Sequence, residues 1–497
     1  MVMVRPLAFA ALLLALGQQA LAAEPPDKDK DAKEPPAEVS YYRDVRPIFQ
    51  QHCQGCHQPA MPKGGFVMTD YPALLKKGES ALPGLVPGKP DQSKIVDQIT
   101  PHASQRPVMP KGKDPLIGHD VELITKWIAQ GAKDDTPPAA REIVDDNHPP
   151  VYALPPVLTS LDYAPDSSLL AVAGYHEVLL HKADGSGLVG RLVGLSERVQ
   201  KVAFSPDGKL LAVAGGSPCR FGEIQVWDVA KKKLKLSVPV TFDTLYGISW
   251  SPDGSMLAFG CADNTLRAID ASTGKQVLYQ GAHNDWVLDT VFSSDGKYLA
   301  SVSRDMSMRL TDVAHQRFID NITSITPGAL KGGLITVARR PLKDNKKMVK
   351  TPPDPEELLY QELLVGGSDG TPRLYKMHRE TKRVIGDDAN KVREFEPMPG
   401  RVFSISCSTD GNLFVAGSSL DGTGEARVYQ VNDGKLLAKL EGEHGAVYAV
   451  AFRPDGKQVA AAGFDGAVRL NDPQTGKLIK EFVPVPITTG VVQAPAK

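Results

Sequence analysis

The chain has 497 residues, with 57 basic against 58 acidic side chains and only 6% aromatics. A formal net charge of -1 gives no global pull toward nucleic acid or anionic lipid, and the low aromatic content does not suggest a base-stacking surface. Of the five cysteines, Cys53 and Cys56 are three apart, while Cys219, Cys261 and Cys407 are scattered. That is no disulfide framework, and the isolated three read as small buried or loop residues.

The N-terminus reads as an export signal. Arg5 supplies a positive start, Leu7 to Leu16 an apolar core, and Ala20-Leu21-Ala22 a small-x-small cleavage pattern. The apolar run falls short of the roughly 20 residues that a bilayer-spanning helix needs. The expectation is a signal peptide over 1–22 and a mature protein with no transmembrane segment, outside the cytoplasm and plausibly periplasmic. Residues 23–39 alternate proline with charge and read as a linker that buries no core.

A small unit is expected over 40–135. Val45, Ile48 and Phe49 fall at helical spacing behind a capping Ser40. A second helix over 120–130 is signalled by Asp120 as cap, an apolar face of Val121, Ile124, Trp127 and Ile128, and Gly131 as stop. Two helices around loops make a small core, which a large apolar cofactor would complete. The first helix runs into Cys53-Gln54-Gly55-Cys56-His57. This is the c-type haem attachment pattern: two thiols on one turn each bond a vinyl group of the same porphyrin, and the next residue lies under the iron. No second CxxC or HxxxH pair completes a zinc site, and no βαβ pattern surrounds a redox dithiol. One CxxCH means one covalent haem c, with Cys53, Cys56 and His57 as its attachment set.

The sixth ligand is open between several residues. Met109, in RPVMPKG, is favoured because flanking prolines hold its loop extended before the Trp127 helix. Met61 is close behind His57, Met68 lies in a segment expected to pack on the ring, and His102 and His119 are the histidine alternatives. An open position, giving a ligand-binding haem, also stands.

Residues 136–156 form a second, proline-rich linker, expected to be a semi-rigid spacer. Beyond it the sequence repeats an apolar run, an SPDG-like turn and a second apolar run. The turn aspartates are Asp166, Asp207, Asp253, Asp295, Asp410 and Asp455. Their spacing of roughly 40–45 residues is that of a WD-type blade. The long interval between Asp295 and Asp410 holds a degenerate blade, LKGGLITVARR with LLVGGSDGTPRLYKM, split by a basic, proline-rich insert. The count is seven over 157–485, followed by a tail at 486–497. Trp227-Asp228 is the one true WD dipeptide, and His283 with Asp305 and His444 with Asp465 are read as structural hydrogen-bonded pairs.

The stretch from VRPIFQQHCQGCHQP through PVMPKGKDPL to ELITKWIAQGAKDD resembles the planctomycete-type cytochrome c domain, and the repeats resemble the WD-repeat family. The resemblance implies a multidomain chain: a small all-α, class I cytochrome c-like domain followed by an all-β propeller. It also implies export and supports Met109 as ligand. The function expected is single-electron transfer, with protein redox partners docking on propeller loops. An active site inside the propeller is the alternative. It is weakened because His176, His181, His315 and His378 are scattered, and the His176/His181 offset puts the pair on opposite faces of a strand.

Overall fold

The computed structural model describes residues 38–58, 61–80, 82–102, 105–137, 144–281, 283–326, 330–341, 361–384, 386–442 and 445–488. The signal-peptide and first-linker readings therefore lie outside the described residues, apart from the last few before Ser40. So do His444, the insert after Pro341 and the end of the C-terminal tail.

The small unit begins with one π-helical turn, Tyr41–Val45, continuing into α1, Arg46–His52. Ser40 caps it as expected: its Oγ accepts from the Arg43 N–H at 2.9 Å, and its own N–H donates to Asp44 at 2.9 Å. Two short helices follow, α2 (Tyr71–Leu74) and α3 (Lys94–Ile99), and then α4 (Gly118–Ala129). The expected start of α4 is corrected, because Ile117 is the residue before it and Asp120 sits in its first turn. There the carboxylate faces the positive end of the helix dipole. Gly131 does end the helix, at φ 96°. The unit is not purely helical, since His57–Gln58 pairs antiparallel with Met61–Pro62. Trp127 of α4 is the centre of the core, stacked on Tyr41 at 5.1 Å and edge-on to Phe49 at 6.3 Å. Its indole N–H donates to the Lys133 carbonyl, so the ring is both buried and hydrogen-bonded.

The repeats fold into sheets of antiparallel neighbours in chain order. Five of the sheets described have four strands, and one has seven. The seven-stranded sheet is two repeats joined by one long strand, Leu188–Phe204. Its first half pairs with Tyr175–Lys182 and its second half with Leu210–Ser217. The degenerate repeat is real: Leu334–Arg339, Glu362–Gly367, Arg373–Lys376 and Lys391–Glu394 form one four-stranded sheet. The predicted brace His283–Asp305 is present at 3.1 Å, with the other ring nitrogen on Ser301 at 2.8 Å. Trp227 is buried and bonds Gln225.

The first strand of each repeat lies innermost. Leu161–Tyr163, the second half of Leu188–Phe204, Leu245–Trp250, Val287–Phe292, Leu334–Arg339, Arg401–Cys407 and Val447–Phe452 touch in that order, and the last returns against the first. Side chains of one inner strand satisfy free amides of the next. Ser160 and Asp162 accept from Val202 and Phe204, Asp289 accepts from Val337, and Ser404 and Ser406 accept from Val450 and Phe452. Closure is reinforced outside the sheets, where Tyr152 pairs in parallel with Ile487 and Thr488 donates to the Tyr152 carbonyl at 2.9 Å. The described second half of the 136–156 segment packs on the ring. Tyr152 is buried and donates to Glu177 at 2.8 Å, while Arg191 ties Glu177 to the Pro150 carbonyl.

Burial pushes the Asp162 carboxyl up to about 7, against the opposing pull of the Phe204 amide and Lys201. A raised carboxyl holds its proton in the fold over a range where the unfolded chain has lost it, so stability falls as pH rises from about 4 to about 7. Asp162→Asn keeps an acceptor for Phe204 and should flatten that slope. Denaturant midpoints across this range check it, and an unchanged slope would contradict it.

Candidate functional site

The Cys53–His57 segment continues α1 as a tight turn. The Cys53 amide donates to the Phe49 carbonyl at 2.9 Å, and the amides of Cys56 and His57 both donate to the Cys53 carbonyl at 3.1 Å. Helix and turn together carry the two thiols and the imidazole on one short piece of backbone, as the motif requires. Desolvation pushes the Cys53 thiol up to about 12, whereas Cys56 is exposed.

The Phe66 carbonyl holds His57. Its Nδ1 lies 3.1 Å from the Phe66 carbonyl oxygen, which only accepts, so Nδ1 carries the proton and Nε2 keeps its lone pair. Phe66 also packs edge-on to the imidazole at 5.9 Å, and burial lowers the ring's pKa. The imidazole is thereby neutral at neutral pH, the form that ligates metals. The same segment fastens the turn again: the Met68 amide donates to the His57 carbonyl at 2.8 Å, and Gln54 donates to the Met68 carbonyl at 2.7 Å.

The other predicted residues separate clearly. Met68 has its side chain in the core, 3% exposed. Met109 and Cys53 both lie at the border of that core. The Met109 loop is pinned by the Met109 amide on the Gln98 carbonyl at 2.9 Å. Lys113, further along this loop, is exposed yet has its ammonium pKa lowered by surrounding protein, and its charge is felt by both Cys53 and Cys56. His102 is exposed and tied to Asp97, and His119 is exposed in the first turn of α4. Met61 belongs to the short strand, and its side chain is outside the described residues.

The turn is seated on the second repeat of the ring. A Cβ on Gly55 would stand 2.8 Å from Pro239 Cδ and 2.9 Å from the Ser237 carbonyl, so only glycine allows this approach. Nearby, Arg220 donates to the Tyr42 hydroxyl at 3.1 Å. Phe66 and Pro239 are not singled out by the sequence. Their roles depend on chain segments far apart, and only the glycine in the motif hints at a close neighbour.

The ring encloses a channel of about 900 Å³. Its carboxylates are already engaged: Asp162 with the Phe204 amide, and Asp289 with Thr336, Val337 and Lys201. The four scattered histidines do not converge. His176 faces the Gly194 carbonyl, His181 the Pro484 carbonyl, His315 pairs with Asp312, and His378 packs on Tyr298. Among the described residues no group of three or more His, Cys, Asp or Glu side chains could hold a metal ion.

Residues 53–112 match the family model described as planctomycete cytochrome C. Residues 274–312 and 434–472 match the WD domain, G-beta repeat, and residues 219–288 match the anaphase-promoting complex subunit 4 WD40 domain. The chain joins a planctomycete-type cytochrome c domain to WD repeats. It is 24% identical over 295 residues to the WD repeat-containing protein 26 homolog of Arabidopsis thaliana, covering 58% of this chain and 43% of that protein. It is also 23% identical over 304 residues to periodic tryptophan protein 2 of Saccharomyces cerevisiae, covering 58% of this chain and 31% of that one. Eukaryotic translation initiation factor 3 subunit I of Candida glabrata is similar at 23% over 288 residues, with 55% and 65% covered. The chain thus spans less than half of the first two relatives. Among the described residues no helix is long and apolar enough to cross a membrane.

The seat of the motif gives a direct test. Gly55→Ala forces the turn off Pro239 and Ser237, and overpacking of this kind costs about 1–3 kcal/mol. The cytochrome domain should then melt earlier in denaturant while the repeats keep their midpoint. An unaltered melt would contradict the contact.

Proposed function

We propose that this chain is an exported monohaem c-type cytochrome that passes single electrons, with its WD repeats as a seven-bladed docking platform for protein redox partners. The observation that carries the reading is the His57 arrangement. A ligating histidine commonly donates its second ring N–H to a backbone carbonyl, which fixes tautomer and orientation. His57 does this with Phe66 at 3.1 Å. Cys53 and Cys56 would take the two covalent bonds, and His57 the near side of the iron. Met109 would take the far side, in keeping with its place at the core border and its pinned loop.

Haem bound here supplies a one-electron couple, and ligation by His and Met on both sides leaves no open position for bond chemistry. The protein's part is to fix the histidine tautomer, to shield the ligand loop with the Trp127 core, and to hold the turn against the ring. With a single motif there is no internal chain of haems, so donor and acceptor are separate proteins. An enzymatic channel is less supported, because its carboxylates already serve neighbouring amides. Export is supported by the N-terminal pattern and by the cytochrome domain itself, because c-type haem is attached outside the cytoplasm.

Absorption spectra of the ferric and ferrous protein, with and without carbon monoxide, test the reading. Wild type should be low-spin, indifferent to carbon monoxide, and carry the weak far-red methionine-to-iron band. Met109→Ala should lose that band and bind carbon monoxide. A wild-type spectrum that is high-spin and shifts with carbon monoxide would overturn the Met109 assignment and favour a ligand-binding haem.

A further inference from the structure

In six inner strands the pairing to the next strand skips one residue: Gln200, Gly247, Leu288, Ile335, Phe403 and Tyr448. A bulge of this kind re-aims the skipped side chain, and all of these residues line the channel. Val287, Leu334, Val402 and Val447, which precede the last four, are at most 2% exposed, whereas the skipped residues beside them are half-buried. Leu288, Ile335, Phe403 and Tyr448 thus form an apolar arc on consecutive repeats, with Phe403 edge-on to Tyr448 at 5.1 Å. Gly247 adds no side chain to the rest of the collar, since a Cβ there would stand 2.5 Å from Asp289 Cα. The charges around this arc are uneven. Asp162 serves the Phe204 amide, Asp289 serves Lys201, Thr336 and Val337, and Asp285 accepts from the Trp286 amide at 2.7 Å. Arg304 stands 3.7 Å from Asp285 and lies over the Trp286 ring at 4.7 Å. Arg401 also lines the channel and is exposed, and among the described residues it has no ion pair or side-chain hydrogen bond. Every carboxylate here has a donor, and the spare charge is positive.

We propose that the channel binds a small aromatic carboxylate, with its ring in the Leu288–Ile335–Phe403–Tyr448 arc and its anionic group on Arg401 and Arg304. At about 900 Å³ the channel lies within the range of about 300–1,000 Å³ usual for small-molecule sites, which pair apolar walls with a few polar groups. Aromatic walls reward a ring beyond the area it buries. A carboxylate on a guanidinium makes a charge-assisted pair, which Arg401 lacks within the chain. A cationic ligand would have to displace donors that Asp162, Asp285 and Asp289 already hold. The site is separate from the motif, because the Cys53–His57 turn rests on Ser237 and Pro239 of the outer strand Lys233–Thr241. It therefore stands independently of the haem reading.

The experiment titrates the full chain by calorimetry with 2-naphthoate and with its uncharged analogue 2-naphthamide, in wild type, Arg401→Gln and Phe403→Ala. Wild type should bind 2-naphthoate one to one. Removing the charge from either side, by the amide probe or by Arg401→Gln, should weaken binding about tenfold, as expected for the loss of one charged hydrogen bond. Phe403→Ala should weaken both probes. Denaturant midpoints without probe show whether each variant keeps the ring, and Arg401→Gln, an exposed position, decides the matter alone if Phe403→Ala melts early. The haem bands should not move as the probe binds. No binding at millimolar 2-naphthoate, or equal affinity in wild type and Arg401→Gln, would overturn the proposal. So would a shift of the haem bands with the same affinity, which puts the probe at the iron. If the protein carries no haem, calorimetry still decides the channel site, and the missing bands count against the electron-carrier reading alone.

Discussion

A closed ring of sheets leaves each inner strand with one edge unpaired, and the amides along that edge need acceptors. At three junctions the preceding repeat supplies them: Ser160 and Asp162, Asp289, and Ser404 and Ser406 each accept from a backbone N–H of the next inner strand. A buried amide left without a partner costs about 1–3 kcal/mol, so these side chains are as much part of the closure as the sheets. The same requirement explains why the channel is polar. Its acidic groups face inward because the amides are there.

The ring in turn gives the cytochrome domain a floor. A unit of under one hundred residues has little core of its own, and here an aromatic cluster around Trp127 packs with aliphatic side chains such as Val45, Ile124 and Ile128. The Cys53–His57 turn would be an exposed loop on such a unit. Seated on Ser237 and Pro239 and held by Phe66 and Met68 from within, it is fixed on several sides. An electron carrier profits from this rigidity, because a fixed ligand set reorganises little when the metal changes charge. The linker half around Tyr152 is docked on the ring as well.

Much of this was legible in the sequence. The motif at Cys53–His57, the Ser40 cap, the Trp127 helix, the repeat period and the degenerate repeat in the long interval all follow from local spacing, and local spacing is what a sequence displays. Asp120 was misplaced because an acidic first turn and a capping residue look alike without geometry. The prolines of 136–156 show a linker, but not that Tyr152 finds Glu177 and Ile487. Phe66 and Pro239 stayed hidden for the same reason: their meaning is set by partners that only folding brings close. The joining of two repeats through Leu188–Phe204 carried no sequence mark, since a strand that continues and a strand that turns can share one apolar pattern.

The central claim is that Cys53, Cys56 and His57 hold a single covalent haem. Intact-mass analysis of the protein, matured in a host that attaches haem outside the cytoplasm, tests it most directly, followed by peptide mapping. The account predicts the mass of the processed chain plus one haem that resists acid-acetone extraction, with the added mass on the peptide containing Cys53 and Cys56. The mass of the bare chain, or a haem that extracts freely, would contradict it.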